Sequence, residues 1–281
     1  MPDSLKSSSH MLRWITSIVI GVPLILCIAF APPLCWWFLI ILVAEIGLWE
    51  LYGLLFHVPL SWKWRFFYFA GGLLLPSGAY LFGITGLTFA LFISFFAALF
   101  LMMISSPLDH DEIARIGQLC FAWLYLPYFL SFVLLIGGGT QGRTWIFFLL
   151  AVIIAGDAGA YYTGLRAGRH KLYPAVSPKK TIEGAVGGLI LSIVAATAIG
   201  FLFLKNVPLA SLFVFSLAIA AVGQAGDLIE SMIKRSAGKK DSSALLPGHG
   251  GLLDRLDSLI FAFPILWCLL QWAGSGRYNG F

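Results

Sequence analysis

Nine apolar stretches, most of them close to the length of a membrane span, follow one another along the 281-residue sequence. They lie near residues 12–31, 34–56, 66–82, 84–104, 119–136, 144–164, 185–204, 209–229 and 259–272. A helix needs about 20 mostly apolar residues to cross the hydrocarbon core of a bilayer. The sequence therefore predicts an all-α polytopic membrane protein with about nine transmembrane helices. The third stretch contains Gly71, Gly72 and Pro76, which predict a broken or tilted helix there.

Composition excludes a water-soluble fold of this size. Charged residues make up 11% of the chain and hydrophobic residues 59%, with a mean hydropathy of +0.91. Ordinary soluble domains carry roughly a quarter charged residues. The net charge of +5 would by itself suit nucleic acid, but the cytoplasmic loops of membrane proteins are rich in Lys and Arg. We therefore expect membrane lipid around the chain and no nucleic-acid partner.

The basic residues divide unequally between the two sides of the nine predicted spans. Counting Arg13 at the start of the first span, one side holds all but three of the 18 Lys and Arg residues. Its segments are the N-terminus and residues 57–65, 105–118, 165–184 and 230–258. The other side holds only Arg143, Lys205 and Arg277. The positive-inside rule makes the first side cytoplasmic. The chain is therefore predicted to be a single membrane-embedded domain, residues 1–281, with a cytoplasmic N-terminus.

Acidic residues inside predicted spans are expensive and are therefore candidates for function. Asp157 has small neighbours that allow another helix to come close. A packing helix is the alternative there, but a small uncharged residue would pack as well. Asp227 shares a helix face with Lys234 and with either Glu230 or Ser231. A salt bridge at a helix end would give the same pattern and contribute little.

Two further acids, Glu45 and Glu50, lie in the second predicted span. Glu50 is near the predicted cytoplasmic end, within reach of the headgroup region or of a loop cation. For both residues, a structural pairing and a functional role are equally compatible with the sequence.

The basic segment 165–184 contains the run SPKKTIEG at residues 177–184. Ammonium groups and hydroxyls suit phosphate oxygens because they supply positive charge and hydrogen-bond donors. Thr181 is placed to cap the following helix, with Gly184 allowing close approach. The alternative is a positive-inside loop beside anionic lipid. The compact Ser-Pro-Lys-Lys-Thr order favours a phosphate site.

The last predicted loop, residues 230–258, is the densest in charge and glycine. Three glycines surround His249 and let backbone N–H groups approach a ligand, as in phosphate-binding turns. His249 alone would suit a structural turn equally well. Asp254 and Asp257 are three residues apart, so both can face one side of a helix start. Because Mg²⁺ prefers carboxylate and phosphate oxygens, these residues predict Mg²⁺-dependent phosphoryl or nucleotidyl transfer at the membrane surface.

Three blocks of the sequence resemble one enzyme family. Residues 231–257 read S-x-φ-K-R, four residues, K-D, a short spacer and P-x-H-G-G-φ-x-D-R-φ-D, where φ is apolar. Every fixed position resembles the signature of the phosphatidate cytidylyltransferases, also called CDP-diacylglycerol synthases. Residues 177–184 and the segment around Asp157 resemble two further blocks of that family. The resemblance covers the C-terminal half, about residues 144–273, and the predicted number of spans fits it too.

The resemblance implies an activity and a setting. The chain would transfer the cytidylyl group from CTP to phosphatidate, giving CDP-diacylglycerol and pyrophosphate. Asp227 and Asp254 would hold a two-cation centre of Mg²⁺ and K⁺. The resemblance also implies a homodimer in the bacterial inner membrane, with the active site facing the cytoplasm. No general base is required, because phosphatidate already carries an ionised phosphate.

Further residue roles carry over onto matching positions of this sequence. Asp157, Asp241 and Asp257 would support or complete the metal site, and Gly250 and Gly251 would shape the turn. The residues expected to hold phosphates are Ser177, Lys179, Lys180, Lys234, Arg235, Lys240, His249 and Arg255. The remaining residues expected to bind the cofactor or nucleotide are Thr181, Glu183 and Ser231.

Three other functions are compatible with parts of the sequence. A CTP-using lipid kinase would share the helices and the nucleotide but transfer the γ-phosphoryl group to a hydroxyl; the complete match over residues 231–257 argues against it. A transporter or channel also carries acids inside the membrane. In this sequence, however, most acids and nearly all basic residues lie on one predicted side of the membrane and do not line a path across it. A structural scaffold would leave Asp157 and Asp227 unexplained.

Overall fold

The structure is a computed structural model that describes residue 19 and residues 21–104, 112–246 and 250–274. The chain divides into two compact units. The first unit takes its described residues from Met1–Leu135 and Asp241–Arg255, and the second from Ile136–Lys240 and Leu256–Asn279. A single domain over residues 1–281 stays a prediction.

The N-terminal part of the first unit is helical. Its helices are Gly21–Phe30 (α1), Pro33–Leu55 (α2), Trp62–Ile104 (α3), Glu112–Trp123 (α4) and Phe129–Gly137 (α5), with a π-helical turn at Leu124–Tyr128. Two buried hydrogen bonds join α2, α3 and α4. The Trp123 indole donates to the Tyr68 carbonyl at 3.0 Å, and the Tyr68 hydroxyl donates to the Leu48 carbonyl at 2.9 Å.

The long helix α3 contains a reversal of the chain at Phe82 and Gly83. Both residues leave helical geometry, and Gly83 has a φ of +63°, which glycine adopts without strain. A Cβ placed on Gly78 would lie only 2.5 Å from the Gly86 carbonyl oxygen, so the two halves fold back on each other. The chain therefore turns back where the third and fourth apolar stretches meet, while two separate membrane spans there stay a prediction.

The chain is helical at Gly71, Gly72 and Pro76, so a broken helix there is wrong, while a tilted helix stays a prediction. The two glycines instead admit neighbouring side chains. A Cβ on Gly72 would lie 2.8 Å from Cδ of Glu45, and the Trp123 indole covers Gly71. Small residues at a helix contact allow this close packing.

The second unit contains four helices and a hairpin. They are Gly142–Ala167 (α6), Lys171–Tyr173 (β1), Ser177–Thr181 (β2), Ile182–Phe203 (α7), Leu209–Ser236 (α8) and most of Leu253–Trp272 (α9). The antiparallel strands pair Lys171 with Thr181 and Tyr173 with Ser177. The sequence predicted only a loop here, so the all-α fold gains one two-stranded sheet. Its strands of three and five residues are too short to show an alternating pattern.

Glycines bring α6 and α7 into close contact. A Cβ on Gly159 would lie 2.7 Å from the Gly187 carbonyl oxygen, and one on Gly188 would lie 2.8 Å from the Gly156 carbonyl oxygen. This confirms that the small residues beside Asp157 admit another helix. The same sequence segment therefore serves packing and also carries a carboxylate.

Six helices within the described residues are long and apolar enough to cross a membrane. They are Pro33–Leu55, Trp62–Ile104, Glu112–Gly137, Gly142–Ala167, Ile182–Phe203 and Leu209–Ser236. Exposed aromatic residues at helical spacing, Phe89, Phe92, Phe96 and Phe100, form an apolar stripe on α3. The chain is thus an α-helical membrane protein. The count of nine spans and the cytoplasmic N-terminus stay predictions.

Candidate active site

Three carboxylates of the second unit come from three different helices. Asp157 lies on α6, Asp227 on α8 and Asp257 near the start of α9. Of these three helices, only α9 is not among the six of membrane length in the described residues. The pKa of Asp257 is raised to about 7, first by burial and then by the negative charges of Asp227 and Asp157. Lys234 and the Ser258 N–H act in the opposite direction. Like charges gathered in this way favour the binding of a cation.

The hairpin brings a lysine to this acidic cluster. Lys180 Nζ on β2 lies 2.5 Å from Oδ2 of Asp227 on α8, with each side chain about one-third exposed. The basic 177–184 block and Asp227, predicted from separate parts of the sequence, are therefore adjacent. A partly solvated ion pair of this kind contributes little to stability, so its position beside the other carboxylates is the more informative property.

The polar face predicted on α8 is present. The helix continues through Ser236, and Lys234 forms an ion pair with Glu230 one turn earlier. Glu230 is 1% exposed and Lys234 is 8% exposed, so this pair lies almost entirely away from solvent. Because Glu230 offsets much of the charge of Lys234, the effect of Lys234 on the pKa of Asp257 is smaller than the effects of burial and of Asp227.

Thr181 and Glu183 hold the backbone that precedes and follows the hairpin. The Thr181 hydroxyl accepts a hydrogen bond from the Gly184 N–H at 3.1 Å, which confirms the predicted helix cap. The Glu183 carboxylate accepts from the N–H groups of Arg169 and His170 and lies 2.6 Å from His170 Nδ1. Contact of Thr181 and Glu183 with a nucleotide stays a prediction.

Arg235 contacts backbone carbonyls. Its Nε donates to the Val176 carbonyl at 3.4 Å, and its terminal nitrogen donates to the Lys239 carbonyl at 3.1 Å. These bonds join the hairpin turn to the end of α8. Of the other predicted phosphate ligands in this unit, Lys179 and Lys240 are exposed and Ser177 is partly exposed, as is Ser231.

In the first unit, Asp254 is held by the loop before α9, of which the structure describes residues 241–246 and 250–252. Its Oδ2 accepts from the Ser242 N–H at 3.1 Å, the Ser242 hydroxyl at 3.0 Å and the Gly251 N–H at 2.8 Å. An antiparallel bridge between Leu246 and Gly250 closes the loop. Hydrogen bonds from backbone N–H groups stabilise the ionised carboxylate.

The predicted turn glycines are needed for this geometry. Gly250 has a φ of +79°, and a Cβ there would lie 2.7 Å from Oδ2 of Asp254. A Cβ on Gly251 would collide with the Ser242 hydroxyl. Asp241 and Arg255 are exposed in the same unit. His249 lies outside the described residues.

Sequence reasoning missed the role of Glu50. The sequence suggested a headgroup or a loop cation as its partner. Instead its carboxylate accepts hydrogen bonds from the hydroxyls of Ser242 and Ser243 and from two backbone N–H groups. The available signal was a loop rich in hydroxyls, because hydroxyl and backbone N–H groups need acceptors when they are buried.

The carboxylates named above carry oxygen donors of the kind that a metal ion takes. Among the described residues, no three Asp, Glu, His or Cys side chains converge into a complete metal site. Asp157, Asp227 and Asp257 supply hard oxygen donors of the kind that Mg²⁺ takes, and the negative charges of Asp227 and Asp157 act on Asp257. Asp254 supplies the same donor chemistry in the first unit.

The comparisons with known proteins decide the family. The model of the cytidylyltransferase family matches residues 11–273. The chain belongs to this family. Within this cytidylyltransferase family, a phosphatidate cytidylyltransferase of Bacillus subtilis (strain 168) is 36% identical over 189 residues, which cover 67% of this chain and 69% of that protein. The family predicted from the sequence is confirmed.

Two staphylococcal relatives are also named phosphatidate cytidylyltransferase. The protein of Staphylococcus saprophyticus is 43% identical over 141 residues, covering 50% of this chain and 54% of that protein. The protein of Staphylococcus aureus (strain COL) is 43% identical over 131 residues, covering 47% of this chain and 50% of that protein. The matched segments thus span about half the length of these two relatives.

Proposed function

We propose that this protein transfers the cytidylyl group of CTP to phosphatidate, releasing pyrophosphate and forming CDP-diacylglycerol for phospholipid synthesis. The observation that carries the proposal is the group of Asp157, Asp227 and Asp257 with Lys180 beside it, in a chain of the cytidylyltransferase family. The names of its relatives from Bacillus and Staphylococcus support phosphatidate as the acceptor.

The chemistry follows from the charges. A phosphatidate oxygen attacks the α-phosphorus of CTP in line, and the bond to the pyrophosphate oxygen breaks. The nucleophile is already ionised, so no side chain has to remove a proton. Both substrates are anions, and Lys180 and Lys234 offset the negative charges of Asp227 and Glu230, which would otherwise add to the repulsion. Exposed Lys179 and Lys240 are positioned in solvent to bind phosphate oxygens.

Asp227 and Asp254 are the proposed cation ligands, with Asp157, Asp241 and Asp257 supporting them. Mg²⁺, with K⁺ as the second cation, would neutralise charge on the transferring phosphoryl group and on the leaving pyrophosphate. Carboxylates alone would repel these anions. The resident cations and the lysines therefore have to outweigh the acidic cluster for turnover to occur.

The proposed setting is the bacterial inner membrane. The excess of Lys and Arg on one predicted side supports a cytoplasmic N-terminus and a cytoplasmic active site, where CTP is available. Nine spans and a homodimer belong to the same proposal. The bacterial sources of the relatives support the membrane assignment.

The test is lipid labelling by the purified, detergent-solubilised protein. It receives phosphatidate, Mg²⁺ and CTP labelled at the α-phosphorus, with EDTA in a parallel reaction. We expect labelled lipid and pyrophosphate, both abolished by EDTA. Label transferred only from γ-labelled CTP to a lipid hydroxyl would establish the kinase alternative instead. No transfer by folded protein with several lipid acceptors would contradict both enzymes and favour a transporter.

Substitution of the proposed cation ligands gives a second measurement. Asp227→Asn and Asp254→Asn are each expected to lower kcat by about 10²- to 10³-fold or more, the scale for removing a group that stabilises transition-state charge. Membrane insertion is expected to be unchanged. Glu112→Gln is the control, because Glu112 is an acid that pairs with Arg115 and has no proposed part in the site. Full activity of either Asn variant would remove that residue from the cation site.

A further inference from the structure

Glu50 is a buried carboxylate near the end of α2 that receives four hydrogen bonds. It is 2% exposed. Oε1 accepts from the Ser243 hydroxyl at 2.6 Å and the Leu252 N–H at 2.8 Å. Oε2 accepts from the Ser242 hydroxyl at 3.0 Å and the Leu253 N–H at 2.8 Å. Each carboxylate oxygen therefore has two donors, and all four belong to the loop before α9 or to the first residue of that helix.

Only a carboxylate satisfies this set of donors. The N–H groups of Leu252 and Leu253 can only donate, and they lie at the start of α9, where a helix leaves backbone N–H groups unbonded. A glutamine would present one oxygen and one NH₂ group, so at least one donor would face another donor. Glu50 thus closes the N-terminus of α9 from a different helix, where its negative charge also suits the helix dipole.

The same contacts reach Asp254 through Ser242. The Ser242 hydroxyl lies 3.0 Å from Oε2 of Glu50 and 3.0 Å from Oδ2 of Asp254, and its single proton serves one of them at a time. The Ser242 N–H also donates to Asp254. A Cβ on Gly251 would lie 2.7 Å from both oxygens of Glu50, so the Glu50 carboxylate lies directly against the backbone of Gly251. A shift of the Glu50 carboxylate would therefore move Ser242 and with it Asp254.

We infer that Glu50 is a positioning residue for the reaction: it fixes the loop that aims the carboxylate of Asp254. This inference rests on the proposed function, in which Asp254 is a cation ligand. Glu50 contacts the loop directly, and it acts on the position of Asp254 through Ser242 and the start of α9. A misplacement of about 1 Å at a reacting centre reduces turnover roughly 10²-fold, which sets the size of the expected effect.

The experiment compares Glu50→Gln with Glu45→Gln in the full-length protein in detergent. Glu45 lies on the same helix beside Gly72 and has no assigned part in the site. For Glu50→Gln we expect kcat to fall roughly 10²-fold and the Mg²⁺ concentration for half-maximal rate to rise. Amide hydrogen exchange in peptides containing Gly250–Arg255 should accelerate about tenfold or more. Exchange of the 171–181 hairpin should not change.

If Glu50→Gln only lowered the stability of the fold, exchange would accelerate throughout the molecule. The Mg²⁺ dependence of the rate of the folded fraction would then stay unchanged. That result would overturn the inference. So would a kcat within about twofold of the Glu45→Gln value. If Glu50→Gln fails to fold, Ser242→Ala removes the bridging hydroxyl with little change in volume. It should then give the same local exchange and the same Mg²⁺ shift, and a wild-type response of Ser242→Ala would equally reject the inference.

The exchange measurement separates this inference from the proposed function. If wild-type protein forms no labelled lipid, the proposed function fails, while exchange still reports whether Glu50 holds the loop. If wild-type protein is active and the Glu50→Gln loop exchanges normally, only the positioning role fails.

Discussion

At the scale of single residues, the loop before α9 leaves no space for one more carbon atom at Gly251. The Ser242 hydroxyl and the Glu50 carboxylate both lie where a β-carbon would be. Both neighbours are themselves hydrogen-bonded and cannot move away without losing those bonds. The glycine is therefore fixed by its surroundings, whereas its φ is not in the left-handed region.

We predict that Gly251→Ala lowers both stability and turnover. The collision should cost about 1–3 kcal/mol, as overpacking of a filled site does, and should displace Asp254. Gly117→Ala is the matched control because nothing lies within 4 Å of a Cβ there, and alanine favours the helix. Thermal unfolding in detergent and CDP-lipid formation measure the two effects. Equal behaviour of the two variants would contradict the packing at Gly251.

The sequence could predict that glycines and acids around residue 250 matter, because they lie together in a short pattern. It could not predict the partner of Glu50. The hydrogen-bonded residues are between 192 and 203 positions away along the chain, and no local periodicity connects them. Tertiary contacts of buried polar groups are determined by the fold as a whole.

At the scale of elements, the hairpin β1–β2 places one lysine against Asp227 and leaves others in solvent. Lys180 is paired at 2.5 Å, while Lys171 on the opposite strand is exposed. The sequence indicated a phosphate site in this segment but not the strands. A turn at residues 174–176 and two short strands give little pattern beside a run of basic residues.

We predict that Lys180→Met reduces kcat/KM for CTP by about 10- to 100-fold, since hydrogen bonds to charged groups contribute about 1.5–3 kcal/mol. Lys171→Met removes the same charge from the same hairpin and is expected to change kcat/KM by less than about twofold. Steady-state rates at fixed ionic strength measure both. Equal losses in the two variants would show a general electrostatic attraction and argue against a specific contact of Lys180.

At the scale of the whole molecule, apolarity predicted an α-helical membrane protein because lipid requires spanning segments to satisfy their backbone groups internally. The reversal at Phe82 and Gly83 was predicted as a boundary between two spans, although the helical region there runs over 43 residues. Orientation is a different kind of property. It depends on the distribution of charge relative to a bilayer, and only an experiment on the membrane tests it.

We predict opposite accessibility for the two ends of α8. The helix has 28 residues and is about 42 Å long, enough to cross the bilayer core. In a variant without native cysteines, Lys205→Cys should react with an impermeant maleimide in spheroplasts. Lys239→Cys, at the predicted cytoplasmic end, should react only after lysis. The reverse order of labelling would invert the proposed topology.

The bonds of Glu50 also have a consequence for biosynthesis. The residue is made early, and its first hydrogen-bond partner follows 192 residues later. At about 5–20 residues per second, a ribosome needs roughly 10 to 40 seconds to cover that distance. During this interval the carboxylate is in the nascent chain without its final partners. A chain that stops before Ser242 would keep it in that condition permanently, so truncation at the C-terminus should harm the earliest helices.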